Sequence, residues 1–175
     1  MTTRTTRTAR WGGFEAAAPD LAATIRSRFG AYKHHVLATL RADGAPRLTG
    51  LEANFSRGEL WLGMMPGSRK ALDLRRDGRF ALYANPGPGA ELAEGDARVS
   101  GRAVEVTDPA EPAPFTQDAP EGEVPEVFHL FRAELSEVVR TYLVMPDICM
   151  DVWQPGRPVR TIRRGNDDAP PREDA

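Results

Sequence analysis

A single thiol, Cys149, in 175 residues excludes an intrachain disulfide and any metal centre built from several cysteines. Long apolar runs are missing as well, and nothing approaches the roughly 20 residues needed to span a bilayer. Neither sign of charge dominates, with 23 basic against 25 acidic side chains. That balance speaks against a chain whose main business is coating nucleic acid or an anionic membrane. Histidine is scarce, and the adjacent His34 and His35 would point to opposite faces of a strand, so no metal site is expected. No Ser-His-Asp set or catalytic carboxylate pair is evident. A cytoplasmic protein with one sizeable core is the expectation.

What is present begins with "MTTRTTRTAR", basic and free of acids, which reads as the start of a flexible arm over residues 1–18. "PDLAATIRSRF" follows, with Leu21, Ile25 and Phe29 on one stripe of a helix that Gly30 ends. The period then changes to that of strands. Val36 to Leu40 and Arg47 to Phe55 flank a hairpin turn at Asp43-Gly44, and Arg57-Gly58 leads into "ELWLGMM". "RFALYA" and "ARVSGRAVEV" are further strands, separated by the loop "NPGPGAELAEGD". A Pro- and acid-rich loop spans 107–123, and "VPEVFHLFRAEL" reads as a helix over 124 to 135. "SEVVRTYLV" and "ICMDVWQ" close the strand series, "PGRPVRTI" leads out, and 165–175 reads as a disordered tail. Six or seven short strands without a βαβ rhythm predict a mainly β fold, a small antiparallel Greek-key barrel with short helices over 19–164.

One stretch conflicts with ordinary helix electrostatics. "PGSRKALDLRRDGR" is a turn, an N-cap serine and a short amphipathic helix, yet Arg69 and Lys70 stand in its first turn. A helix N-terminus carries roughly half a positive charge and repels cations. An anion held by Ser68, Arg69 and Lys70 resolves the conflict. A solvated face, or an Arg69–Asp73 pair at i,i+4, is the competing reading.

Three stretches together resemble the FMN-binding split-barrel superfamily, the pyridoxamine 5′-phosphate oxidase-like proteins. They are "VLATLRADGAPRLTGL", "LWLGMMPGSRKALDL" and "DVWQPGRPVRTIR", in the family's order and spacing over most of residues 20 to 163. The resemblance implies a clamp on the cofactor phosphate made by Arg47, Ser68, Arg69 and Lys70. It implies that the backbone of Leu48, Thr49 and Gly50 passes the flavin ring edge. Gly63 and Met64 fall where the family has a Tyr-Thr pair beside the cofactor. Trp153 and Arg163 match a family Trp and Arg that reach the flavin across a homodimer interface.

An FMN-dependent oxidoreductase acting on a small molecule follows from the resemblance. True pyridoxamine phosphate oxidase activity does not, because the family's W-x5-R-x-H-x-R grip on that substrate has Val159 and Thr161 at its first Arg and its His. A deazaflavin (coenzyme F-420) reductase is the alternative, with Arg75, Arg76 and Arg79 extending the basic strip for a longer phosphate-bearing tail. A non-catalytic flavin, haem or tetrapyrrole binding protein is the third reading.

Overall fold

The amphipathic stripe of Leu21, Ile25 and Phe29 forms helix α2 (Pro19–Gly30), with proline in its first turn and those three residues buried. Before it stands a short helix, α1 (Trp11–Ala17). After it come β1 (His35–Leu40), β2 (Pro46–Leu51), β3 (Ala53–Ser56), β4 (Glu59–Met64), α3 (Arg69–Arg76), β5 (Arg79–Tyr83) and β6 (Asp96–Glu105). The chain then runs through β7 (His129–Val144), β8 (Asp147–Trp153), β9 (Arg160–Arg164) and β10 (Arg172–Glu173). The computed structural model describes residues 7–87, 95–108 and 127–174, and the expected loops lie largely outside them.

The pairings are antiparallel and run β10-β9-β8-β7-β6-β5-β1-β2, while β4 joins β3 to β7. β7 is long enough to serve three partners: its start pairs with β4, its length with β6 and its end with β8. The sheet is not closed, because β2 and β3 share no ladder. The two-residue turn into β4 carries positive φ at both Arg57 and Gly58, the geometry a tight hairpin requires. Leu60, Leu62, Leu82, Val99, Phe131 and Val138 fill the interior, and Trp11 and Phe14 of α1 and Ile25 and Phe29 of α2 pack into the same core.

Ser100 and Gly101 of β6 face Glu137 and Leu135 of β7, which leaves Ser136 unpaired as a bulge in β7. A Cβ at Gly101 would lie 1.9 Å from the backbone oxygen of Glu134. Gly101→Ala must therefore push β6 and β7 apart, and thermal unfolding should show a loss of about 1–3 kcal/mol or more.

Several sequence expectations need correction. The helix expected over 124 to 135 is the opening stretch of β7 from His129 on, residues 124–126 lying outside the described ones. From Phe131 to Leu135 burial alternates with period two, and pairing to β4 and β6 outweighs the helical propensity of this segment. Arg47 to Phe55 is not one strand: the chain breaks at Glu52, where it leaves β1 and turns to pair with β4. "PGRPVRTI" does not simply lead out: its last three residues open β9, and the strands number ten among the described residues.

The arm expected over 1–18 is built into the fold from Thr8 on. Ala9 and Leu135 exchange backbone bonds of 2.9 and 2.7 Å, and Gly12 donates to the Gly58 carbonyl at 2.7 Å. Trp11 and Phe14 are fully buried, with ring centroids 4.5 Å from Phe55 and 4.7 Å from Trp153 respectively. The expected tail likewise returns to β9, where Arg172 and Glu173 pair with Arg163 and Ile162.

Candidate functional site

The β1–β2 hairpin and α3 meet around one buried carboxylate. Arg47 and Thr49 lie on the same face of β2, opposite Thr39 and Leu37 of β1. Asp73 of α3 reaches into this face, its side chain only 5% exposed. It accepts from Thr39 Oγ1 at 2.9 Å, from Arg47 Nε at 2.6 Å and from Arg76 Nη1 and Nη2 at 3.4 and 3.3 Å. Arg76 also donates to the Leu40 carbonyl. Burial opposes ionisation of Asp73, but the bonds from Arg47 and Thr39 outweigh it and hold its carboxyl below the usual range.

Around this anchor lie the groups expected to hold an anion. Ser68 is the extended N-cap of α3, at φ −62° and ψ 143°, yet its hydroxyl makes no capping bond. Its Oγ is buried without a hydrogen-bond partner among the described residues, and so is Thr49 Oγ1. A buried hydroxyl left unpaired costs free energy that a bound polar group recovers. Lys70 Nζ donates to the Gly50 carbonyl at 2.6 Å, tying α3 to β2. Burial lowers the pKa of Lys70, so its ammonium sits where an anion would stabilise it. Arg69 is exposed, and no acid partners Arg69 or Lys70 among the described residues. The competing Arg69–Asp73 pair does not form, since Asp73 is taken by Arg47 and Arg76.

The other three arginines of the strip are committed. Arg75 makes a two-pronged pair with Glu105 at 2.7 Å, Arg76 pairs with Asp73, and Arg79 grips Asp77 at 2.6 Å. The bond from Arg79 pulls the Asp77 carboxyl down to about 2.

Arg47, Thr49, Gly50, Ser68 and Lys70 are thus gathered at the β2–α3 junction, with Arg69 beside them. Leu48 alternates outward and is 69% exposed. Gly63 and Met64 pair with Leu130 and His129, and Met64 is buried. Trp153 and Arg163 lie on β8 and β9, towards the other end of the strand order from β2. Trp153 needs correction as a cofactor contact: it is 2% exposed, packed on Phe14 within its own chain, and offers a partner no surface. Arg163 is held in a strand, with Nε 2.8–2.9 Å from the carboxylate of Asp174. Among the described residues no cluster of His, Cys, Asp and Glu could hold a metal, and no helix is long and apolar enough to cross a membrane.

The sequence profile of pyridoxamine 5′-phosphate oxidase matches residues 22–142, more than half of the chain and all of this junction. The chain belongs to the pyridoxamine 5′-phosphate oxidase-like family. Solved structures agree on the split-barrel fold. PhzG from Burkholderia lata, determined with tetrahydrophenazine-1-carboxylic acid, shares 15% identity at a TM-score of 0.52, over 92% of this chain and 90% of that one. A heme binding protein from Mycobacterium smegmatis shares 18% at 0.53, over 75% of this chain and 57% of that one. A protein of Clostridium acetobutylicum related to general stress protein 26 shares 13% at 0.51, over 85% and 98%. The sequence matches none of the curated proteins.

Within this family the basic S-R-K turn is readable from sequence, and the carboxylate beneath it is not. Asp73 lies beside Ala71 and Leu74 on the buried side of α3, and an acid there is the one signal that points to a cationic partner. His129 and Glu105, which hold the turn before α3, are obscured in the sequence by the helix expected at 124–135.

Proposed function

We propose that this protein binds FMN at the β2–α3 junction and acts as a flavin-dependent oxidoreductase on a small molecule. One observation carries the reading. Among the described residues, two cations without acid partners and a buried Ser68 hydroxyl without a hydrogen-bond partner converge on the N-terminus of α3. Hydroxyl, cations and helix dipole together suit a phosphate monoester. A bound flavin would supply the electron transfer itself. The chain's role would be to hold the phosphate with Ser68, Arg69 and Lys70 and to lay the open edge of β2, from Leu48 to Gly50, along the ring.

Arg47 belongs to this site as its support, because its guanidinium is tied to Asp73. The commitment of Arg75, Arg76 and Arg79 to acids leaves little free charge for the longer tail of a deazaflavin, which favours FMN. Val159 and Thr161 remain poor substitutes for a pyridoxal phosphate grip. Thr161 donates to Asp151 at 2.7 Å instead.

Arg163 reaches the same cofactor only from a second copy, given its place in the strand order, so the active form is proposed to be a homodimer. Exposed Val36 and Leu48, and the cross-strand pair Leu143 and Ile148, supply apolar surface for such contact. Light scattering should give twice the chain mass at micromolar concentration; a monomer would sink the shared site. The function itself is tested by titrating the purified protein with FMN and then with deazaflavin coenzyme. Quenching of FMN fluorescence with weak deazaflavin binding is expected. The reverse order would move the protein to the reductase reading, and binding of neither would remove both.

A further inference from the structure

The turn that enters α3 is pinned from behind by a side-chain relay that neither the family resemblance nor the phosphate reading calls for. Ser68 N donates to the Met65 carbonyl at 3.2 Å, closing a turn over Pro66 and Gly67. Proline at its second position and Gly67 at φ +65° are the arrangement of a type II turn. Type I and type II turns differ mainly by a flip of their central peptide, here Pro66–Gly67. In this protein the N–H of that peptide is taken: Gly67 N donates to His129 Nε2 at 3.0 Å. His129 Nδ1 lies 3.1 Å from Glu105 Oε1, and Glu105 receives both prongs of Arg75 at 2.7 Å.

The relay settles its own tautomer. A carboxylate can only accept, so the proton is on Nδ1, and Nε2 has its lone pair free for the Gly67 N–H. His129 and Glu105 are well covered, with side chains 15% and 19% exposed. The relay ties α3 to β7, because Arg75 lies in the last turn of α3 while His129 opens β7 beside Met64.

We propose that His129 is a positioning residue for the phosphate site. By accepting the Gly67 N–H it selects the type II form of the Met65–Ser68 turn, and so fixes the direction from which Ser68, Arg69 and Lys70 approach the anion. Glu105, itself oriented by Arg75, holds the imidazole ring in register. This role rests on the phosphate reading for its consequence, though not for its geometry.

Two substitutions separate the two bonds of the ring. His129→Gln places an amide oxygen near Nε2 and keeps an acceptor for Gly67 while losing the Glu105 bond. His129→Asn places its amide near Nδ1, keeping the Glu105 bond and losing Gly67. FMN affinity is to be measured by fluorescence quenching in both full-length variants and the parent, with Gly67 amide exchange followed by NMR without ligand. The expected result is that His129→Gln binds FMN within about threefold of the parent, while His129→Asn binds at least tenfold more weakly. The Gly67 amide should stay protected in the first and exchange faster in the second. A purely structural role for the ring would move both variants alike, and equal affinities or equal protection would overturn the proposal. If the parent itself binds no FMN, the phosphate reading falls. The relay is then judged on the exchange of Gly67 alone, by the same two patterns.

Discussion

Replacing Arg69 and Lys70 together by alanine should weaken FMN binding by at least about a hundredfold while leaving the fold intact. Each side chain would contribute a charge-assisted bond to phosphate, on the order of 1.5–3 kcal/mol. Every 1.4 kcal/mol is about a factor of ten in affinity. The effect on stability should be small by comparison. Arg69 is exposed, and among the described residues the side chain of Lys70 gives up only its bond to the Gly50 carbonyl. Burial already disfavours the Lys70 ammonium, so the unliganded protein loses little when that charge is removed. The measurement is a fluorescence titration beside a thermal melt. Unchanged FMN affinity in the double variant would show that the clamp is elsewhere. A collapse of the melting temperature would show that these cations are structural.

The opposite pattern is expected at Asp73. This carboxylate is almost wholly covered and takes bonds from Thr39, Arg47 and Arg76. Asp73→Ala would leave the mostly buried Arg47 without its ion partner and Thr39 without its acceptor. Removing one member of a buried pair costs about 3–5 kcal/mol, which denaturant unfolding reads directly. The pH dependence gives a second signature. The folded protein holds the Asp73 carboxyl below its ordinary range, so its ionised form favours folding. That contribution is complete above the pKa of an unfolded aspartate, about 4, and is lost as pH falls through the lower folded value. The parent should therefore shed stability with acid across that window, and Asp73→Ala should lack this share of the acid limb. An unfolding midpoint unchanged by the substitution, at neutral pH, would mean that the Arg47 pair contributes nothing net. Because Arg47 is held by Asp73, loss of FMN affinity in this variant would follow from a displaced β2–α3 junction rather than from a lost phosphate bond.

How much of this is readable in the chain differs from element to element. The stripe of Leu21, Ile25 and Phe29, the Asp43-Gly44 hairpin and the turn at Arg57-Gly58 are local signals, carried by spacing and by Gly44 and Gly58, which tolerate positive φ. They appear in the structure where the sequence puts them. The S-R-K turn is local as well, and its conflict with the helix dipole is visible without coordinates. The segment from His129 to Leu135 is not readable in this way. Its residues favour a helix in isolation, and only ladders to β4 and β6 on either side make it a strand.

The same division separates the two tryptophans near the ends of the chain. Sequence places Trp11 in a loose arm because nothing local anchors a basic, threonine-rich start, yet its ring is fully buried beside Phe55. Resemblance sends Trp153 to a partner's cofactor, and α1 instead covers it with Phe14. By itself the sequence determined the turns, the amphipathic helix and the pair of cations at the start of α3, since propensity, capping and charge act over a few residues. Tertiary structure alone decided which of five clustered cations are committed to acids, which tryptophan is core and which carboxylate supports the site. Those outcomes depend on residues far apart in the chain meeting in space, Thr39 with Asp73 and Glu105 with His129.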